Sequence, residues 1–244
     1  MDMEPAASLD RIGALELFAS LPAEALEPVR AALRTARVEK DMRIERVAKD
    51  VAIFRQGDPV SRAYALASGS VRIVQGGADG GQAIVRFIAP GEMFGTVPLF
   101  TDHRFPADAV AVEPSTVLTW SEPQLLDLMT RYPAIAINLI RALGVRMAQL
   151  QERVRELTTQ RVEQRIAQAI LRLAAQSGRG GALGTTINIP LRRKDLAEFA
   201  GTTLHTASRT VAAWEKAGIL TSSGRRLTIH DPGAVRRLAE GRAD

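Results

Sequence analysis

The 244-residue chain carries 32 Lys and Arg against 27 Asp and Glu, a formal charge of +5, with 46% hydrophobic residues and no cysteine. This length suits two packed domains with a connector, and the missing thiols exclude disulfides, thiol redox sensing and iron–sulfur clusters held by cysteine. There is no run of about 18 apolar residues to span a bilayer, and Asp2, Glu4 and Asp10 interrupt any secretory signal pattern at the start, so a cytoplasmic protein without membrane contact is expected.

Residues 8–33 read as helical, with Leu17, Phe18 and Leu21, a helix start at Pro22, and an apolar set at Leu26, Val29 and Leu33. From Val38 to Trp120 the character changes to short β-like runs at 51–54, 63–66, 71–74, 83–87, 107–112 and 116–120. Turn residues separate them: Gly57-Asp58-Pro59, Ser68-Gly69-Ser70, the glycine-rich stretch 76–81, and Pro90-Gly91. Many short strands with regular turns predict an antiparallel barrel or sandwich within a sensor domain of residues 1–132.

Ser121 with Gln124 makes a capping box for a short helix through Leu125 and Met129. A longer helix begins at Pro133, where Ile140, Leu143, Met147, Leu150, Val154 and Leu157 follow a heptad spacing flanked by Arg146, Gln149, Arg153 and Glu156. A seam this narrow suits a partner helix, and residues 133–158 are read as a dimerisation helix; packing on its own barrel is the alternative. Thr158 and Thr159 break the pattern and are expected to cap the next helix, whose buried face would be Val162, Ile166, Ala169, Ile170 and Leu173. A glycine-rich loop at 177–184 then leads to a strand at 186–189.

Residues 191–220 fit two short helices across a glycine turn. Leu196, Ala197 and Ala200 would face inward from the first, Gly201 supplies the turn, and Ala207, Val211 and Trp214 face inward from the second. Thr203, His205, Thr206, Ser208 and Arg209 are left outward at the start of the second helix, donors and acceptors of the kind that read base edges in a major groove. Arg192, Arg193, Lys194 and Thr202 lie where the first helix and the turn would meet phosphates. Ile219–Thr221 and Leu227–His230 around Ser222, Ser223 and Gly224 read as a wing hairpin with Arg225 and Arg226 at its tip, followed by a helix capped by Asp231 with Pro232 at its first position.

Charge follows the same division. From Gly178 onward 11 Lys and Arg face 6 Asp and Glu, whereas the first 177 residues hold 21 of each, so the whole excess lies with the helix-turn-helix.

A turn-rich barrel, a long helix and a C-terminal winged helix (residues 159–244) in this order, an α+β chain, resemble the CRP/FNR family of bacterial transcription regulators. The residues that carry the likeness are Phe54-Arg55-Gln56-Gly57-Asp58, Ser68-Gly69-Ser70-Val71, Pro90-Gly91-Glu92-Met93-Phe94-Gly95, and Gly201-Thr202-Thr203-Leu204-His205-Thr206-Ala207-Ser208-Arg209. The resemblance implies a jelly-roll sensor domain like those that bind cyclic nucleotides, an activator role, and duplex DNA, a second copy of the chain and RNA polymerase as partners. It also implies a recognition helix in which Ser208 and Arg209 match the family pattern while His205 stands in place of the usual acid. Arg209 can still fork onto guanine, which predicts a palindrome of TTG and CAA type with half-site centres about one helical turn apart.

The sensor half departs from family members that bind cyclic AMP. Thr96 follows Gly95 where those have Glu, and Phe105-Pro106 stands in the place of Arg-Ser, leaving only the neighbouring Arg104 to meet a phosphate. The departures argue against cyclic-nucleotide control, which stays as the alternative. Phe105-Pro106-Ala107-Asp108-Ala109 and Thr202 to Thr206 look most like the cysteine-free, nitrogen-oxide-responsive (Nnr/Dnr-type) branch, which implies haem as a candidate nitric oxide sensor. His103 would be its axial ligand, with Met93 and Met42 as weaker choices. An enzyme is the rival from another class. Against it, His103, His205 and His230 are far apart, and no nucleophile elbow, phosphate loop or metal-ligand spacing is present. A second rival is a small-molecule-binding barrel whose winged helix contacts protein.

Overall fold

The computed structural model describes residues 16–18, 42–77, 80–182 and 184–242. The helix expected over 8–33 lies outside them, apart from a 3-10 turn at Glu16–Phe18. The chain divides into two compact units, one of Met1–Gln75 with Phe87–Ala148 and one of Gly76–Arg86 with Gln149–Asp244.

Residues 42–121 form two four-stranded sheets. Strands β1 (Met42–Val47), β8 (Ser115–Ser121), β3 (Arg62–Ser68) and β6 (Met93–Phe94) form one in the order β1-β8-β3-β6. The other runs β2 (Ala52–Phe54), β7 (Asp108–Ala111), β4 (Val71–Gly76), β5 (Gln82–Ile88). The six sequence-predicted strands are present, and β1 and β6 are additional. β6 has two residues, too few to show a period, and β1 (MRIERV) alternates charge with aliphatics too weakly to stand out. Both sheets feed one core: Ala65, Leu66, Val117, Leu118 and Trp120 from the first, Phe54, Val71 and Ala109 from the second. Phe18 joins them edge-on to Trp120, with ring centroids 6.5 Å apart.

Helix α1 (Glu122–Arg131) begins at the expected box, where the Ser121 N–H and hydroxyl both donate to Gln124 Oε1 at 3.0 and 3.1 Å. Helix α2 (Pro133–Thr159) follows; 27 residues give about 40 Å of helix. Its first turns bury Ile135 and Leu139 in the sensor core.

Two expectations fail, one at the end of α2 and one after the following helix. Thr158 and Thr159 continue the helix, their hydroxyls bonding back to Val154 O and Arg155 O at 3.0 and 2.7 Å. The cap of helix α3 (Val162–Ser177) is Arg161, whose N–H donates to Gln164 Oε1 at 2.9 Å. A threonine hydroxyl that finds a carbonyl one turn back gives up its capping role. The glycine-rich stretch is also no loop, since β9 (Gly178–Gly181) pairs antiparallel with β10 (Gly184–Ile187). Glycines hid this strand because they supply no alternating side chains.

The second unit continues with helix α4 (Arg193–Ala200), helix α5 (Leu204–Lys216), strands β11 (Leu220–Ser223) and β12 (Arg226–Ile229), and helix α6 (Pro232–Glu240). Its sheet runs β11-β12-β10-β9. Asp231 caps α6, accepting from Ala234 N–H at 2.9 Å.

Candidate nucleic-acid interface and effector site

The helix-turn-helix forms as its pattern requires. Leu196, Ala197 and Ala200 of α4 and Ala207, Val211 and Trp214 of α5 are all buried. Between the helices Gly201 adopts φ +65°, a conformation that L side chains rarely take, so the turn needs glycine; a Cβ there would also press the end of the Leu157 side chain, 2.7 Å away. Thr203 is the N-cap of α5: its Oγ1 accepts from Thr206 N–H at 3.2 Å and donates to Thr206 Oγ1 at 3.0 Å. The expected base-reading set is therefore divided. Thr203 and Thr206 are tied to each other in shaping the helix start, whereas His205 and Arg209 are exposed and Ser208 is half-buried between turns.

Sequence reasoning missed part of this surface. Leu204, the first residue of α5, is 50% exposed, a large apolar side chain on a polar face. Ala212, Ala213 and Lys216 are exposed as well, and with His205 and Arg209 they continue one outward side at spacings of four, seven, eight and eleven. Helical periodicity could have found them had it been carried past Arg209.

The expected phosphate contacts differ in availability. Arg192 grips buried Asp195 with two bonds, Nε–Oδ2 at 3.0 Å and Nη2–Oδ1 at 3.1 Å, and Arg193 pairs with Glu215 at 2.8 Å. Lys194 is largely exposed, 3.6 Å from Glu198. On the wing, Arg226 donates to Asn188 Oδ1 at 3.0 Å and Arg225 is exposed at the tip. These four arginines edge a cleft of about 260 Å³ between the start of α4 and the wing. Glu215 locks the two parts together. Its burial raises the carboxyl pKa, but hydrogen bonds from Ser222 and Arg193 outweigh this and leave it below the usual range.

On α2 the seam residues Ile140, Met147, Leu150, Val154 and Leu157 are 47% to 67% exposed. Leu143 instead packs against the sensor core. The charges read as flanking the seam turn elsewhere: Arg146 donates to Met93 O at 2.7 Å and pairs with Glu16, while Arg153 and Glu156 bond within the second unit.

In the sensor unit the expected effector residues fall into two groups. Phe105 is buried and stacks on Phe54, centroids 3.7 Å apart and 8° between planes, and Tyr64 stacks on Phe94 at 5.4 Å. Gly95, at φ +67°, lies against this cluster, since a Cβ would sit 2.9 Å from Tyr64 Cδ2 and 3.2 Å from Phe54 Cε1. Burial, then the Glu45 charge, pushes the Tyr64 phenol up and keeps it a neutral donor. Thr96 is buried, and its hydroxyl has no hydrogen-bond partner among the described residues. His103, Arg104 and Pro106 are exposed instead. Arg104 Nη1 donates to Gly57 O at 2.9 Å, Gly57 N–H to Phe105 O at 2.8 Å, and Phe105 N–H to Asp58 O at 3.0 Å, which stitches the Phe54–Asp58 turn to this loop and holds the ring stack in place.

Haem does not fit these residues. His103 points into solvent from a turn at φ +53°, Met93 is packed into the core with no exposed surface, the Met42 side chain lies outside the described set, and four aromatic rings occupy the apolar space beside Gly95. Among the described residues no cluster of His, Asp and Glu could hold a metal ion, and no helix is long and apolar enough to cross a membrane.

A β sensor unit on a long helix with an exposed apolar stripe, followed by a helix-turn-helix and wing, defines the class of DNA-binding regulators that carry an effector domain. Residues 44–132 match the model of the cyclic nucleotide-binding domain, and residues 164–238 that of the Crp-like helix-turn-helix domain. The chain is 30% identical over 191 residues to the cyclic AMP receptor protein of Thermus thermophilus, covering 78% of this chain and 85% of that one. It is also 30% identical over 193 residues to the nitrogen fixation regulation protein FixK of Azorhizobium caulinodans, covering 78% and 77%. Among solved structures, FixK2 from Bradyrhizobium japonicum shares the fold with a TM-score of 0.73 at 22% identity, over 83% of this chain and 98% of that one. The chain belongs to the CRP/FNR family of transcription regulators, DNA-binding proteins and not enzymes.

Proposed function

We propose that the protein acts as a homodimer, paired along α2, that reads a palindrome of TTG and CAA type through α5. The observation that carries this reading is the outward side of α5, where His205, Arg209 and Lys216 stand exposed opposite a fully buried face. Arg209 forks onto guanine O6 and N7, Ser208 meets an adjacent base edge, and Leu204 is placed to meet a thymine methyl, the apolar contact a major groove offers. Lys194 and Arg225 supply phosphate contacts. Residues 1–132 serve as sensor, 133–158 as dimer helix and 159–244 as DNA-binding domain, with RNA polymerase as the onward partner of an activator.

For the effector, the place of the phosphate-binding pair is held by a buried phenylalanine and an exposed proline, while the neighbouring arginine is engaged at Gly57. We therefore place the protein outside cyclic-nucleotide control. The nitrogen-oxide branch is supported by the residues at 105–109 and 202–206 and by no haem-binding geometry. Fluorescence anisotropy with the palindrome and a scrambled duplex at graded salt tests the reading. Preference for the palindrome and a steep fall of affinity as salt rises are expected. Equal, salt-insensitive binding to both, or a monomer in sedimentation, refutes it.

A further inference from the structure

A helix leaves its last carbonyls without intrahelical partners, and at the end of α4 these oxygens are met by arginines from two other helices. Phe199 O accepts from Arg153 Nη2 of α2; Ala200 O and Gly201 O accept from Arg165 of α3, at 3.3 Å from Nε and 3.1 Å from Nη2. Cations at a helix C-terminus also complement its dipole. Glu156, only 1% exposed, holds the arrangement from beneath: its Oε2 lies 3.2 Å from Arg153 Nη1 and its Oε1 bonds Arg172 of α3. The Arg153 and Arg172 guanidinium carbons stand 5.9 and 5.5 Å from the centroid of the Phe199 ring.

A buried ion pair is poor evidence for added stability, because desolvation offsets much of its attraction; its attested value lies in fixing one geometry among several. Burial and then the Arg172 charge lower the Arg153 pKa, with Glu156 pulling the other way, so removing the carboxylate would leave two partly buried like charges side by side. The clamp also sits beside the seam, since Val154 and Leu157 flank Arg153 and Glu156 on the same helix. Whatever sets the α4–α2 angle therefore sets where each recognition helix stands relative to the dimer axis.

We propose that Arg153 and Glu156 are positioning residues for DNA recognition: by clamping the C-terminus of α4 to α2 they fix the separation and phase of the two recognition helices, and hence the half-site spacing the dimer accepts. This rests on the dimeric reading above. Each added base pair moves a half-site about 3.4 Å along and about 35° around the duplex, so a rigid clamp enforces one spacing and a loose one tolerates several.

The test is anisotropy of the full-length protein on palindromes that differ only in central spacing, by one and two base pairs each way, together with a duplex bearing a single half-site. For the wild type, affinity should fall at least about tenfold for a one-base-pair change. Glu156→Gln should compress that preference to roughly threefold or less while binding the single half-site as the wild type does. Where that variant fails to fold by circular dichroism, Arg153→Lys gives the same reading, because lysine keeps the charge but cannot reach Phe199 O and Glu156 together. A variant that is less heat-stable yet keeps the wild-type spacing preference overturns the positioning role alone. A wild type indifferent to spacing overturns the dimeric reading and this inference with it.

Discussion

In the winged-helix unit several of the side chains expected to act stand in solvent: His205 and Arg209 on the outward side of α5, joined there by Lys216, and Arg225 on the wing. In the sensor unit the expected residues are either inside the packing, as Thr96 and Phe105 are, or out in turns, as His103, Arg104 and Pro106 are. The contrast follows from what each unit must meet. A DNA groove is a preformed rigid partner that a preformed surface can read, whereas a small molecule needs interior volume, and beside Gly95 that volume is taken by four aromatic rings. Among the expected groups His205, Arg209, Lys194 and Arg225 are open to solvent, whereas the space beside Gly95 is filled by Phe54, Tyr64, Phe94 and Phe105.

The largest expected effect probes the closed side of this contrast. Phe105→Ala removes a ring stacked on Phe54 and should cost about 3–5 kcal/mol of stability, read as a lower Tm. An unchanged Tm would mean that the rings are not a packed core. On the open side, Arg209→Ala should lose about 1–3 kcal/mol of discrimination at the guanine of the half-site, measured by competition with base-substituted duplexes. A variant that still rejects changes at that base places the contact elsewhere.

Smaller again is Arg225→Ala, which should weaken binding about equally for all sequences and reduce the salt slope by about 1. A change in sequence preference instead would give the wing a base-reading role. Least is the effect of Glu215, whose native pKa lies below the unfolded value near 4.5. Its contribution to stability is present above that value and fades as the pH falls through the native pKa. The stability gap between wild type and Glu215→Gln should accordingly shrink below about pH 4.5 in thermal melts followed against pH. A gap constant with pH would show that its bonds to Arg193 and Ser222 do not survive in solution.

Legibility followed periodicity. Helices α4 and α5 were readable because six small or apolar residues at helical spacing flank one glycine; all six are buried, joined by Asp195, Phe199 and Thr210, which the pattern did not mark. Strands β2, β3, β4, β5, β7 and β8 were readable from turn punctuation, while β1 alternates too weakly and β6 and β9 carry too few patterned side chains to be seen. Among the site residues, Arg209 and His205 are legible from their facing, whereas Leu204 is hidden by its apolar character and Lys216 lies about two turns beyond the polar cluster.

The sequence by itself determined the order of the elements, the location of the excess charge and the face that α5 turns outward, because each depends on residues close together in the chain. Only the tertiary structure decided the partners of the arginines. Arg153 and Glu156 look like seam-flanking charges along α2, yet one meets a carbonyl 46 positions away and the other an arginine 16 positions away. Such pairings depend on how α2, α3 and α4 pack, and side-chain periodicity within one helix says which way a residue points but not what is waiting there.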